Sequence, residues 1–108
     1  MEYRPDVWII VEVYGTQVNQ NWYRVLAGWY GGFAGSNSWK LSSGITGIED
    51  CSTYWLITNF SGSKYYCHKE CERLSMTTGM ILNTIVNDST PEISVRQVLV
   101  EEVKLLNN

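Results

Sequence analysis

Positive charge is scarce in this sequence. Eight lysine and arginine residues stand against eleven aspartate and glutamate residues, and the net charge is −3 at pH 7. Binding to a nucleic-acid backbone needs a concentrated basic surface, because each neutralised phosphate requires a nearby cation. Eight cations spread thinly over 108 residues therefore argue against nucleic acid as the main partner.

Long apolar runs are also lacking. The longest is VWIIV at residues 7–11, far short of the ~20 apolar residues that a membrane-spanning helix requires. The first residues, MEYRPDVWII, have an acid at position 2 and show no basic and apolar leader. We therefore expect a protein that works in a cytoplasm and has no membrane partner.

Cysteine and histidine are few: the chain has three cysteines and one histidine. An odd number of cysteines fits reduced thiols better than a disulfide framework. The segment CHKEC places Cys67, His68 and Cys71 close together, with Cys51 as a fourth candidate zinc ligand, but a second closely spaced pair is missing. Residues 67 and 68 of a strand point to opposite faces, which disfavours a Cys–His nucleophile. We expect no catalytic residues, metal or cofactor, and the metal role of these four side chains stays open.

The chain does contain short alternating segments that are typical of strands. They are DVWIIVEVYG, WYRVLAGWY, SWKLSSG, ITGIED, STYWLITNF and KYYCH, the last two forming a hairpin through SGS. The pattern then changes, because SMTTGMILNTIV has helical spacing and Ser75 or Thr77 as its N-cap. Residues 92–106 fit either a helix, which Thr90 and Pro91 would start, or a strand; their many valines favour the strand.

Together these segments predict one α+β domain over residues 1–108. Its sheet should be mainly antiparallel, with five to seven strands and one or two helices packed on it. No internal repeat, low-complexity tract or domain linker interrupts the chain. With five tryptophans and seven tyrosines, so small a domain has more aromatic surface than one core easily buries, so we expect a homodimer or a higher homo-oligomer.

The segment GWYGGFAGSNSW, residues 28–39, combines four of the nine glycines with two of the five tryptophans. One interpretation is structural, with positive φ angles at the glycines and Trp29 and Trp39 in the core. The other is a ligand surface, because glycines admit a ligand close to the backbone and aromatic rings stack on a planar group. Strand alternation places Trp29 with apolar neighbours and favours Trp39 as the stacking residue, but both interpretations stay open.

Two further loops, LSSGI and FSGSKYYCHK, pair serines with a glycine. Such turns present backbone N–H groups and hydroxyls to an anion, and the lysines and the histidine nearby can balance phosphate charge. The same turns also occur in ordinary hairpins. The predicted ligand-binding residues of the three loops are Tyr30, Gly31, Gly32, Trp39, Ser42, Ser43, Ser61, Gly62, Ser63, Tyr65, His68 and Lys69.

The segments RPDVWII, YRVLAGWYGGFAGSNSWKLSSGI and FSGSKYYCHKE resemble a set of small proteins encoded by tailed bacteriophages. Those proteins carry an Ala-Gly-Trp-Tyr-Gly-Gly loop, a Ser-Gly-Ile turn and a Ser-Gly-Ser-x-Tyr hairpin in the same order. The resemblance spans residues 4 to about 75 and brings no assigned activity, so no site residue is transferred from it. It implies a counter-defence role in the cytoplasm of a host bacterium.

Two counter-defence mechanisms fit this context. A non-enzymatic sponge would sequester a small nucleotide-derived signalling molecule, such as a cyclic nucleotide, without turnover. An anti-CRISPR-like inhibitor would instead occlude a host defence protein with its surface. The aromatic, glycine and serine loops favour the sponge, whereas the negative charge favours the inhibitor; we take the sponge as the first hypothesis.

Overall fold

The computed structural model describes residues 1–15, 22–31, 37–90 and 92–106, with side chains as far as Val103. In these residues the chain forms eight strands and two α-helices. The strands are β1 (Glu2–Tyr3), β2 (Val7–Tyr14), β3 (Trp22–Trp29), β4 (Ser38–Leu41), β5 (Ile45–Asp50), β6 (Tyr54–Asn59), β7 (Lys64–His68) and β8 (Ser94–Val98). The helices are α1 (Met76–Asn87) and α2 (Val100–Leu106), and a short 3₁₀ turn covers Lys69–Cys71.

The strands form two four-stranded sheets. The first sheet has the order β1-β7-β6-β5, and the second has the order β4-β3-β2-β8. All pairs are antiparallel except β1 with β7, which is parallel. The predicted α+β class is confirmed, but one sheet was expected and two are present, with one strand more than the upper limit of seven.

The main core lies between the two sheets. Trp8, Ile10, Val25 and Ala27 of the second sheet pack with Trp55, Ile57, Tyr65 and Cys67 of the first, and Val100 and Val103 of α2 complete the cluster. Burying each large apolar side chain contributes roughly 1.5–3 kcal/mol, so this layer holds the sheets together.

A second, smaller core lies on the opposite face of the second sheet. There Ile9, Val11 and Leu26 are buried with Ile81 and Leu82 of α1. The strand β2 is therefore covered on both faces, because one face meets the first sheet and the other meets α1. This explains why its sequence is an unbroken apolar run rather than a strict alternation.

The start of α1 confirms Ser75 as the N-cap. The Ser75 hydroxyl accepts a hydrogen bond from the Thr78 backbone N–H, and the Thr78 hydroxyl accepts one from the Ser75 N–H. Gly28 of β3 makes room for this end of the helix, since a Cβ there would lie 2.7 Å from the Thr78 methyl carbon. Within the described residues, neither helix has the length and apolar character needed to cross a bilayer.

Residues 92–106 adopt both of the structures that the sequence allowed, rather than the strand alone. Val98 pairs with Ile10 at the edge of the second sheet, which uses the valine-rich half of the segment as β8. Glu101 and Glu102 then lie in the first turn of α2, where acids favour a helix N-terminus. The Glu102 carboxylate accepts the Leu99 N–H, which completes the helix start.

The Glu72 carboxyl provides a pH-dependent contact at this helix. Its carboxylate accepts the Val100 N–H at 2.9 Å. Burial raises the pKa of Glu72 above its ordinary value, and the Val100 hydrogen bond offsets part of that rise. The folded state therefore holds this proton more tightly than the unfolded state, so ionising Glu72 lowers stability as pH rises from about 4.5 through the raised pKa.

We expect Glu72→Gln to remove this loss, because the amide oxygen can still accept the Val100 N–H and carries no charge. Urea titrations at a series of pH values would measure the free energy of unfolding of both proteins. The difference between Glu72→Gln and the wild type should shift in favour of the variant as the pH rises from 4 to 7. Glu70→Gln, at an exposed neighbouring position, is the control. A difference between Glu72→Gln and the wild type that does not change with pH would contradict this expectation.

Candidate functional site

The glycine-rich segment 28–39 carries two exposed aromatic rings. The side chains of Tyr30 and Trp39 are each about half exposed, whereas Gly32 lies outside the described residues. The Tyr30 N–H donates to the Asp6 carboxylate at 2.8 Å, and Gly31 has the positive φ angle that favours glycine. Trp29, in contrast, packs at the edge of the main core, and its indole N–H donates to the Arg4 carbonyl. The predicted difference in burial between Trp29 and Trp39 is confirmed, and the ligand role of Trp39 stays a prediction.

The two serine loops lie against each other. The Ser43 hydroxyl donates to the Ser61 hydroxyl at 3.0 Å, and Ser61 in turn donates to Ser63 at 3.3 Å. Gly62 has positive φ, as the tight turn between these serines requires. Ser42 is different, because its buried hydroxyl accepts the Val25 N–H and donates to the Ser43 carbonyl. The Ser42 hydroxyl therefore holds β3 to the end of β4 and does not face solvent.

Two of the other predicted ligand residues are engaged within the protein. The Tyr65 ring is fully buried and stacks on Tyr3 with centroids 4.8 Å apart, and burial raises the pKa of its phenol to about 12. The Lys69 ammonium lies 2.6 Å from the Asp50 carboxylate and 4.5 Å from the centre of the Trp55 ring. Neither side chain is placed to contact a ligand at the serine loops.

His68 is exposed at the opposite end of β7 from the serine turn. With a rise of roughly 3.3 Å per residue, the five positions from Ser63 to His68 span roughly 16 Å. The predicted residues therefore do not converge on one site. They separate into the exposed rings of Tyr30 and Trp39, the Ser43–Ser61–Ser63 cluster, and His68.

His68 instead lines a hollow of about 370 Å³ on the outer face of the first sheet, which we call the tyrosine hollow. Its walls are Arg4, Pro5, Tyr54, Tyr66 and His68. The Arg4 guanidinium carbon lies 4.4 Å from the centre of the Tyr66 ring. The Tyr54 and Tyr66 rings are 5.7 Å apart and tilted by 45°. Aromatic faces and a cation therefore surround one concave surface.

Only His68 of these five residues was predicted from the sequence. The alternation of the β6–β7 hairpin does place Tyr54, Tyr66 and His68 on one face, because Tyr54 pairs with His68 and Leu56 pairs with Tyr66. That register was available from the hairpin pattern. Arg4 and Pro5 carried no such signal, since they lie some sixty positions away in the sequence.

Hydrogen bonds raise the pKa of both phenols in this hollow, which were already neutral at pH 7. The Tyr66 hydroxyl donates to the Glu2 carboxylate, which lowers the pKa of Glu2 and raises the pKa of Tyr66. Hydrogen bonding to Cys51 is the main cause that raises the pKa of Tyr54. The hollow thus offers neutral rings and the permanent Arg4 cation, with one carboxylate beside Tyr66.

A second concave surface lies between α1 and the second sheet, and we call it the helix groove. It has a volume of about 420 Å³. Its lining is Val11, Val13, Trp22, Arg24, Leu41, Ile85 and Val95. The two hollows lie on the outer faces of different sheets and share no lining residue.

The candidate metal ligands do not form a cluster in the part of the chain that the structure describes. No group of three histidine, cysteine, aspartate or glutamate side chains is arranged there to hold an ion. Cys67 is buried and His68 is exposed on the opposite face of β7, as the sequence predicted. Burial raises the pKa of the Cys67 thiol, which further disfavours the thiolate that a metal or a nucleophilic reaction would need.

We compared the chain with protein-family models, with curated proteins and with solved structures, and none of the three comparisons gave a match. The geometry and chemistry of the two hollows are therefore the grounds on which a function can be assigned.

Proposed function

We propose that this protein binds a small nucleotide-type ligand in the tyrosine hollow and sequesters it without turnover. The observation that carries the proposal is the Arg4 guanidinium stacked 4.4 Å from the centre of Tyr66, beside Tyr54 and His68. The resemblance to phage proteins supports the biological setting, in which the ligand is a signal of host defence. The expected homodimer or higher homo-oligomer remains part of this proposal.

The chemistry of the hollow suits the two halves of a nucleotide. A nucleobase can stack on the partly exposed ring of Tyr54, because an aromatic ring offers a π surface without requiring a particular base. The Arg4 guanidinium presents a planar set of N–H donors that matches a phosphate, and His68 adds a further donor. The volume of about 370 Å³ lies within the range of small-molecule sites.

The lining groups favour holding a ligand over transforming it. Arg4 binds through charge, and the tyrosines are neutral phenols whose hydroxyls are engaged with neighbouring groups. The contact with the Tyr66 ring holds the Arg4 guanidinium at the hollow, so the cation and the ring are arranged by the protein's own packing. A preformed site loses little conformational freedom on binding, which is what a stoichiometric sponge requires.

We expect Arg4→Ala to weaken binding by about 10-fold to 100-fold, because it removes the arginine–phosphate contact, and a hydrogen bond between charged groups is worth roughly 1.5–3 kcal/mol. Isothermal titration with cyclic di- and trinucleotides and cyclic ADP-ribose isomers should identify the ligand. That ligand should be recovered intact after heat denaturation of the complex. Arg73→Ala is the matched control, since Arg73 is also exposed and its guanidinium donates to the Glu70 carbonyl away from the hollow.

Three results would count against this proposal: no binding by any member of the panel, a ligand recovered in cleaved form, or equal binding by Arg4→Ala and the wild type.

Occlusion of a host protein is the second candidate, and one observation favours it. Met76 and Met80, four residues apart on α1, are 84% and 65% exposed. Exposed methionines on one helix face are typical of adaptable protein-binding surfaces. If the wild type and Arg4→Ala retain the same host protein at equal stoichiometry in a pull-down, and the nucleotide panel gives no binding, this candidate replaces the first.

A further inference from the structure

The helix groove exists because α1 covers only part of the outer face of the second sheet. Near its start the helix lies close to β3, where Gly28 faces Thr78. Farther along, Ile85 is the helix residue that borders the groove, and Val11 and Val13 of β2 form the sheet side. A helix of twelve residues is only ~18 Å long, and the space beside its second half remains open at about 420 Å³.

One cation lies in this otherwise apolar lining. Arg24 is directly opposite Val11 in the β2–β3 register, so it belongs to the sheet face that α1 covers. Each of the other three arginines has a partner in the protein. Arg4 stacks on Tyr66, Arg73 donates a hydrogen bond to the Glu70 carbonyl, and Arg96 donates one to the Glu12 carboxylate. Among the described residues, no carboxylate and no ring pairs with Arg24.

We infer that the helix groove binds an amphipathic carboxylate, with an unbranched alkyl chain along the apolar lining and its head group paired with Arg24. Charge complementarity supports this class of ligand, because Arg24 pairs with no carboxylate or ring of the described residues and lies at the edge of an apolar surface, where it matches an anion with an apolar body. A nucleotide fits this site less well, because apart from Trp22 and Arg24 the lining is aliphatic and leaves the polar edges of a base without hydrogen-bond partners.

The size of the groove supports a chain rather than a small ring. An apolar cavity of roughly 150 Å³ holds one benzene molecule, and the helix groove is nearly three times as large at about 420 Å³. Each methylene that leaves water should strengthen binding about fourfold until the groove is full. Affinity should therefore depend on chain length, and the contribution of Arg24 should depend on the head group.

The test uses hexanoate, octanoate and decanoate, with decanol as the uncharged match to decanoate. In isothermal titration of the wild type, affinity should rise along the carboxylate series, and decanoate should bind at least tenfold more tightly than decanol. Arg24→Gln should remove the preference for decanoate over decanol while leaving the melting temperature within a few degrees. Arg73→Gln is the control and should keep the full preference.

A second variant tests the location. Val13→Phe places a larger side chain in the groove and should abolish decanoate binding, and Arg4→Ala in the tyrosine hollow should leave that binding unchanged. The inference is overturned if the wild type binds none of the carboxylates, if decanoate and decanol bind equally, or if Arg24→Gln keeps the preference. In the last two cases Arg24 merely covers apolar surface with its stem and keeps its charge in water.

Discussion

Replacing Trp8 with alanine is expected to lower the free energy of unfolding by about 3–5 kcal/mol. Trp8 is only 1% exposed and packs in the core between the two sheets. Its indole N–H also donates to the His68 carbonyl of the first sheet at 2.8 Å, so the substitution removes both packing and a bond between sheets. A domain of this size has a total stability of roughly 5–15 kcal/mol, so the variant should be barely folded or unfolded at 37 °C.

Trp39→Ala is the matched control for this prediction. Trp39 is 46% exposed on β4, and truncating it should cost less than about 1 kcal/mol. Urea denaturation followed by circular dichroism would measure both variants. If Trp39→Ala destabilised the protein as much as Trp8→Ala, Trp39 would be a core residue and its role as a stacking platform would have to be abandoned.

Arg96→Ala is expected to lower the free energy of unfolding by about 2–3 kcal/mol, because it deprives a buried carboxylate of a charged donor. The Arg96 Nε lies 2.6 Å from Glu12 Oε1, and the Glu12 side chain is only 4% exposed. Tyr23 donates to the other carboxylate oxygen at 2.9 Å. The Arg96 side chain itself is 59% exposed, so solvent screening holds the effect below that of a fully buried pair.

The register of the second sheet explains this arrangement. Glu12 is opposite Tyr23 on one side and Arg96 on the other, so all three side chains lie on one face. Arg24→Ala provides the control, since it removes an arginine from the same sheet without exposing a buried charge and should cost under about 0.5 kcal/mol. Equal stabilities of Arg96→Ala and Arg24→Ala would show that Glu12 does not need Arg96.

Local pattern was sufficient to predict most of the elements. The strands β6 and β7 follow from apolar alternation, and β2 follows from a short apolar run rich in valine and isoleucine. The turn at Gly62 follows from a residue that tolerates positive φ. The start of α1 follows from Ser75, whose hydroxyl can accept a backbone N–H three residues later. Each of these features depends on residues that are close together in the sequence.

The arrangement of the elements could not be predicted in this way. A strand of two residues, β1, is too short to show a period, and it forms only by pairing with β7 some sixty residues later. The valines of 94–98 become a strand because β2 offers a free edge, whereas 100–106 turn away as a helix. Propensity alone could not divide this segment, because both halves are rich in apolar residues.

For the candidate sites too, local sequence predicted some features and tertiary packing decided the others. The sequence by itself determined that the chain is an acidic α+β domain with many aromatic residues and with serine–glycine turns. Only the tertiary structure decided which of these residues meet: it buried Ser42 and Tyr65, paired Lys69 with Asp50, and brought Arg4 to Tyr66. The physical reason is that composition and period specify which face of an element is apolar, whereas the neighbour that covers each face depends on packing between segments far apart in the chain.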